Sequence, residues 1–296
     1  MKMTDTIGFI GLGVMGGPMC RNIATKHAGR VLCFDLSDAA RAALADTKVE
    51  QMDTVEALAK EADIICLSLP GGTQVLKVAE SIAGSARQGT VVVDLSTTTV
   101  ADARAAGQRL VAHEIGFADC PVARTREAAQ QGKLSIMVGA PPEIYDRIRT
   151  VLDYMASDVT HGGDVGAGQV LKLVNNMLVF ANTVALAEMI VLGERAGVNA
   201  DTLLEAVSKG SGDSFVLRNH GMKAMAPREF PAHSFPAEYV LKDISYVFDL
   251  ADQTGTPLPA ANQARAYYAT AVENGFGDKY FPSVIQLVES DAMEKI

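Results

Sequence analysis

The chain is short of positive charge. Its 296 residues carry 26 Lys+Arg against 35 Asp+Glu, a formal net charge of −9, and no Lys/Arg cluster stands out. That balance excludes nucleic acid and anionic membrane surfaces as natural partners. A small anionic substrate would need a local basic pocket set against this field. Cysteine is scarce as well. Cys20, Cys33, Cys66 and Cys120 lie far apart, without the close pairs a metal site requires. Cys33 and Cys66 fall in strand-like apolar runs, so they read as buried free thiols of a reducing, cytoplasmic environment. The five histidines, His27, His113, His161, His220 and His233, show no spacing suited to zinc, and no metal is expected. Neither a Gly-x-Ser-x-Gly elbow nor a P-loop occurs. Little chain precedes the first apolar strand, so no signal or transit peptide is expected. The longest apolar region, Leu171–Leu192, is interrupted by Asn175, Asn176, Asn182 and Glu188. It reads as a buried helix of a soluble protein rather than a membrane span.

Glycine, by contrast, is placed with purpose near the N-terminus. An apolar run, Ile7-Gly8-Phe9-Ile10, ends at Gly11-Leu12-Gly13-Val14-Met15-Gly16 and opens onto a helix-compatible stretch. In such a turn Gly11 permits the tight bend, Gly13 lets the backbone approach a pyrophosphate, and Gly16 lets the helix pack on the strand. The N–H groups and positive end of that helix favour phosphate. A second apolar run, Arg30–Phe34, ends at Asp35, about 20 residues beyond the glycines, where a carboxylate accepts from the adenosine ribose. The same carboxylate would repel a ribose phosphate, so the cofactor is expected to be NAD rather than NADP.

The first half alternates strands and helices. Strands are predicted at Thr6–Gly11, Arg30–Asp35, Ile64–Leu69, Val91–Leu95, Gly116–Asp119 and Ser135–Val138, with helices such as Met15–Ala28 and Ala39–Ala45 between the earlier ones. This alternation implies a Rossmann-type parallel, doubly wound α/β sheet. Leu69-Pro70-Gly71-Gly72 follows a strand at the carboxyl edge, where ligands bind such sheets. The character changes near His161–Gly166. From Ala167 to Ala196 no proline interrupts a helix-forming run, which spans about 45 Å. Apolar residues surround that helix almost completely, which predicts burial between domains or subunits and a homodimer or homotetramer. Helices also fit Asp201–Lys209, Tyr239–Thr254, Pro259–Asn274 and Pro282–Met293. Residues 1–163 are thus expected to form an NAD-binding Rossmann domain, and 164–296 an all-α domain for substrate and oligomerisation.

Three places carry possible chemistry. On the long helix Lys172 is followed by Asn175 and Asn176, which share its face at spacings of three and four residues. An ammonium in such an apolar helix needs a role or a partner. Arg124, in Ala118-Asp119-Cys120-Pro121-Val122-Ala123-Arg124-Thr125, leaves a sheet edge where it could grip a carboxylate, sulfonate or phosphate through paired hydrogen bonds. Ser96 and Thr97, at another strand end, could contact the nicotinamide ribose or the substrate, or could simply cap a helix.

Together these motifs resemble the β-hydroxyacid dehydrogenase family within the phosphogluconate dehydrogenase superfamily. The resemblance rests on Phe9–Gly16, on Asp119-Cys120-Pro121-Val122 with Gly132-Lys133-Leu134 and Met137-Val138-Gly139, on Gly166-x-Gly168 leading to Lys172, Asn175 and Asn176, and on Lys242-Asp243. It covers essentially the whole chain. It implies Lys172 as general acid/base, Asn175 and Asn176 as substrate-orienting groups, and Gly11, Leu12, Gly13, Val14, Met15, Gly16, Asp35, Leu69, Pro70, Thr97 and Lys242 as the NAD site. Ala123, Arg124 and Thr125 would bind the substrate's acid group. Those three replace the family's usual Ser-Gly-Gly, and the change resembles the sulfolactaldehyde reductase branch, where an arginine grips a sulfonate. Where that branch carries a serine beyond its catalytic lysine, this chain has Val179. The implied reaction interconverts a short anionic primary-alcohol acid and its semialdehyde. Sulfolactaldehyde is the leading specific substrate, with 3-hydroxyisobutyrate, 4-hydroxybutyrate/succinate semialdehyde and tartronate semialdehyde as alternatives. A cofactor-binding module without turnover and an imine reductase are rival readings, and retention of Lys172 counts against both.

Overall fold

The protein is described by a computed structural model over residues 5–232 and 234–290. His233 and the far end of the helix expected over Pro282–Met293 lie outside the described residues. The chain divides into two compact units, Met1–Lys172 and Leu173–Ile296.

The N-terminal unit is built on a nine-stranded sheet. Its strands are β1 (Ile7–Ile10), β2 (Val31–Phe34), β3 (Glu50–Gln51), β4 (Ile64–Leu67), β5 (Val91–Asp94), β6 (Gly116–Asp119), β7 (Val122–Ala123), β8 (Leu134–Gly139) and β9 (Ala156–Gly163). The connecting helices are α1 (Gly16–Lys26), α2 (Asp38–Ala42), α3 (Val55–Glu61), α4 (Gly72–Ala83), α5 (Val100–Val111), α6 (Arg126–Gln130) and α7 (Pro142–Asp153). Strand order is β3-β2-β1-β4-β5-β6-β8-β7, with β9 also paired to β8. From β3 through β6 every pairing is parallel. The order reverses between β1 and β4, which makes their carboxyl ends the switch point where such sheets bind ligands.

The apolar runs are continuous because both faces are covered. On one face Ile7, Phe9, Ile64, Cys66, Val91 and Val93 pack with Met19 and Ile23 of α1 and Ile148 and Leu152 of α7. On the other, Ile10, Ile65, Leu67 and Val92 pack with Leu58 of α3, Val75 and Ile82 of α4, and Leu110 of α5. Ser37, Thr54, Thr99 and Thr125 cap α2, α3, α5 and α6 by accepting from backbone N–H groups of the first turn. The four cysteines are free and buried.

Two features depart from the sequence reading. The sheet is not parallel throughout, because β8 runs antiparallel to β6 and β7. The chain reaches β8 through β7 and the short α6, and β7 pairs antiparallel with β8. The segment before the long helix, read as a change of character, is the strand β9, parallel to β8. Its exposed, polar residues suit a sheet edge.

The long helix α8 (Ala167–Arg195) begins at the end of the first unit and continues into the second. It is long and apolar enough to cross a membrane, with a window of mean hydropathy 1.6, yet 44% of that window is buried inside the protein. Leu173, Met177, Phe180, Val184, Ala187 and Ile190 are buried, while Leu171, Val174, Leu178, Met189 and Leu192 are exposed along one stripe. The second unit continues with α9 (Ala200–Val207), α10 (Ala237–Thr254), α11 (Pro259–Ala271) and α12 (Ile285–Glu289). A π-helical stretch, Leu217–Met225, and a 3-10 turn, Phe281–Val284, lie between them. Phe180 packs its ring against Phe235, Tyr268 and Phe281 at 5.9 to 6.3 Å, so an aromatic cluster anchors α8 in this unit.

Candidate active site

The glycine turn joins β1 to α1 at the switch point. Gly11 has φ +93°, and a Cβ there would fall 2.2 Å from the Ser68 carbonyl oxygen. A Cβ on Gly16 would fall 2.0 Å from the Gly11 carbonyl oxygen. These two glycines let the turn close and the helix lie against it. Around Gly13 nothing lies within 4 Å of a Cβ position, which is the open approach a pyrophosphate needs at a helix N-terminus. The residues present therefore fit a dinucleotide.

Asp35 is half-buried just beyond β2. Its Oδ2 accepts from the Leu12 N–H at 2.5 Å and its Oδ1 from the Ser37 N–H at 2.7 Å. The carboxylate thus holds the glycine turn, a role the sequence did not reveal. Val14 is exposed, Leu69 half-buried and Pro70 exposed at the end of β4. Ser96 is buried, and its Oγ accepts from the Leu69 N–H at 2.9 Å. The Ser96 hydroxyl therefore holds the Leu69–Pro70 loop, while Thr97 is the half-buried neighbour.

The substrate-loop residues follow β7. Ala123 is buried, and the Thr125 hydroxyl is engaged as the cap of α6. Arg124 has φ +87°, a backbone region that favours glycine. Its guanidinium donates to the Lys133 carbonyl and Ser157 Oγ, both at 2.7 Å, and pairs with Asp158 Oδ2 at 2.6 Å. The Ser157 hydroxyl and then Arg124 hold the Asp158 carboxyl below the usual carboxylate range. The cation expected to grip an acid group is thus engaged along the edge strand β9.

Two buried carboxylates close the strand ends. Desolvation pushes Asp94 up to about 7, and its Oδ1 accepts from the Ser96 N–H at 3.0 Å. Desolvation pushes Asp119 up to about 6, against the backbone N–H groups that favour its charge. Lys172 is buried on α8, 9% exposed.

Farther along α8, in the second unit, Asn175 donates to Asn176 Oδ1 at 3.2 Å and Asn176 donates to Asp243 Oδ2 at 2.8 Å. Asp243 is buried on α10, and its Oδ1 lies 3.3 Å from Lys242 Nζ. That contact is an ion pair out of line for a hydrogen bond. Lys242 sits 5.4 and 5.5 Å from the rings of Tyr239 and Tyr246. Asp243 entered the sequence analysis only as part of a motif with Lys242, and the structure joins it to Asn176. The available signal was the helical spacing of Val240, Asp243, Ile244 and Val247 along α10, which places Asp243 on the apolar face.

Residues 6–163 match the family described as the NAD binding domain of 6-phosphogluconate dehydrogenase. Residues 166–288 match the family described as NAD-binding of NADP-dependent 3-hydroxyisobutyrate dehydrogenase. The chain is 32% identical to a 2-(hydroxymethyl)glutarate dehydrogenase of Eubacterium barkeri, over 98% of this chain and 96% of that one. It is 30% identical to a probable 3-hydroxyisobutyrate dehydrogenase of Mycobacterium tuberculosis, over 97% and 99%. A solved structure of the Mycobacterium tuberculosis 3-hydroxyisobutyrate dehydrogenase with L-serine superposes with a TM-score of 0.88 at 29% identity, covering 96% of this chain and 99% of that one.

Proposed function

This chain belongs to the 3-hydroxyisobutyrate dehydrogenase family of NAD(P)-binding hydroxyacid dehydrogenases, and from that premise we propose that it interconverts a primary-alcohol acid and its semialdehyde, with Lys172 as general acid/base and NAD(H) preferred over NADP(H). The observation that carries the reading is Lys172 itself, a buried ammonium-bearing side chain on α8 with Asn175 and Asn176 at three- and four-residue spacing. The names of the relatives supply the substrate class. In both 3-hydroxyisobutyrate and 2-(hydroxymethyl)glutarate, the CH2OH group sits on the carbon that bears a carboxylate. L-Serine, bound in the solved relative, has the same arrangement.

In the reductive direction Lys172 donates its proton to the aldehyde oxygen. In the oxidative direction its neutral amine takes that proton from the alcohol. The nicotinamide, when bound, supplies or accepts the hydride. Asn175 and Asn176 orient the oxygen. Asp243 holds the Asn176 amide in one rotamer, so its remaining hydrogen-bonding capacity is directed rather than mobile. Gly11, Leu12, Gly13, Val14, Met15 and Gly16 hold the pyrophosphate side, Asp35 the ribose, and Leu69, Pro70, Thr97 and Lys242 the rest of the cofactor. Ala123, Arg124 and Thr125 form the loop assigned to the acid group.

A sulfonate substrate such as sulfolactaldehyde is the second reading, favoured by the arginine at position 124. It ranks second because that guanidinium is already shared among Lys133, Ser157 and Asp158. The exposed stripe of α8, Leu171, Val174, Leu178, Met189 and Leu192, supports a homo-oligomer. The buried free cysteines support a cytoplasmic setting.

The test is NADH oxidation by the purified protein across 2-substituted 3-oxopropanoates, succinate semialdehyde and sulfolactaldehyde, repeated with Lys172→Ala. The expected result is a preference for the 3-oxopropanoates and a loss of about 100-fold or more in the variant. Wild-type turnover by Lys172→Ala would remove the assigned role. Best turnover on sulfolactaldehyde would promote the second reading.

A further inference from the structure

Asp119 is fully buried at the end of β6. Its Oδ1 accepts from the Gly166 N–H at 2.7 Å and its Oδ2 from the Gln169 N–H at 2.8 Å. These are backbone donors at the start of α8, which have no partner within the helix. The approach depends on missing side chains. A Cβ on Gly168 would lie 2.5 Å from the Asp119 carbonyl oxygen and 2.7 Å from that of Met137, and a Cβ on Gly139 would lie 2.4 Å from Asp119 Oδ1. The helix backbone therefore rests directly on the ends of β6 and β8.

Gln169 is also fully buried. Its amide donates to the Ser96 carbonyl at 2.8 Å and accepts from the Thr98 N–H at 3.1 Å. Ser96 in turn holds the Leu69 N–H. One continuous set of hydrogen bonds, buried except at Leu69, thus runs from the loop after β4, through the loop after β5, to the first turn of α8. Lys172 lies three residues past Gln169, one helical turn on. A rigid helix transmits any shift or tilt of its first turn to that position.

We propose that Asp119 and Gln169 are positioning residues for Lys172, fixing the first turn of α8 to the strand-end loops so that the lysine amine is held in register with the site. The inference rests on the reading of Lys172 as the general acid/base. Neither side chain is assigned contact with substrate. Their contribution is geometric, and displacement of a reacting group by about 1 Å can cost on the order of 100-fold in rate.

The test is a double-mutant cycle. Gln169→Met keeps the side chain's length and removes both amide bonds. Asp119→Asn keeps its shape and replaces one acceptor with a donor facing a backbone N–H. Each is made alone and together with Lys172→Ala, and a cooperative thermal melt is recorded for every variant. Gln169→Met alone is expected to lower kcat by roughly 10- to 100-fold. In the Lys172→Ala background it is expected to change the residual rate by less than about twofold, because the group it positions is gone. Asp119→Asn is expected to behave alike, and either variant suffices if the other fails to fold. Full kcat in Gln169→Met with an inactive Lys172→Ala would overturn the proposal, as would losses that multiply in the double variant. Wild-type turnover in Lys172→Ala alone would instead strike the reading beneath it.

Discussion

Replacing Asp35 with asparagine tests the ribose role proposed for a carboxylate that also holds the glycine turn. Asp35 accepts from the Leu12 N–H at 2.5 Å and the Ser37 N–H at 2.7 Å. A carboxylate offers about four lone-pair sites, so two remain for ribose hydroxyls. Asparagine keeps one acceptor oxygen and turns the other position into an NH2 donor. If the amide oxygen stays on the Leu12 N–H, the NH2 faces the Ser37 N–H and can no longer accept from a ribose hydroxyl. A hydrogen bond to a charged acceptor contributes about 1.5–3 kcal/mol. Losing one such bond to the ribose, with part of the second, weakens NADH by about 2–3 kcal/mol, or roughly 30- to 150-fold in Kd. NADPH gains from removal of the negative charge that opposes its ribose phosphate, so its Kd should change less or fall. The assay is titration of reduced-cofactor fluorescence with both cofactors at one fixed ionic strength, since salt screens the phosphate contribution. An unchanged NADH Kd would refute the ribose role. Equal weakening of both cofactors would show that the glycine turn had collapsed and that the carboxylate does not discriminate.

Two further outcomes test other parts of the structure. Asp94 is buried with its Oδ2 unpaired among the described residues, and desolvation carries it to about 7. Because this folded value lies above the unfolded one of about 3.9, the stability it contributes is complete at low pH and is lost as pH rises through about 4 to 7. Asp94→Asn abolishes that loss, with a ceiling near 4 kcal/mol. The variant's melting temperature should therefore gain on the wild type by several degrees between pH 5 and pH 8, and a difference independent of pH would count against the assignment. His220, which burial lowers to about 4, acts in the opposite sense below pH 6.5 but is common to both proteins and cancels. On the exposed stripe of α8, Leu178 is 59% exposed. Leu178→Glu should reduce the mass measured by size-exclusion chromatography with light scattering, and a monomeric wild type would end the oligomer reading.

What the sequence disclosed follows from burial. Strands β1, β2, β4 and β5 are covered on both faces, so each appears as an unbroken apolar run, and their order with the intervening helices points to a doubly wound sheet. The glycine turn was legible because each glycine answers a separate steric demand. Strand β9 was not, since its polar, exposed residues carry no period-two apolar signal. The antiparallel course of β8 was equally hidden, because a strand's own residues do not carry its direction. The π-helical stretch Leu217–Met225 centres on Gly221, where a Cβ would lie 2.9 Å from Leu186 Cδ2. Tertiary packing of that kind overrides local propensity. Asp119 was visible only as part of a motif, because its partners are backbone N–H groups brought from the start of α8.

Arg124 shows how a motif can point to a residue without showing whether its side chain is available. The backbone at Arg124 holds φ at +87°, a region that favours glycine. A left-handed conformation costs a non-glycine residue about 1–2 kcal/mol. Three contacts to Lys133, Ser157 and Asp158 oppose that cost, though each is partly exposed and the ion pair contributes only about 0–1 kcal/mol. The arginine therefore does not need a substrate to account for its position. An acid group that recruits Arg124 must compete with Asp158 for the same guanidinium. A carboxylate or sulfonate makes that exchange nearly neutral in charge, so selectivity between them would come from how many of the remaining donors each can reach, not from the presence of the cation.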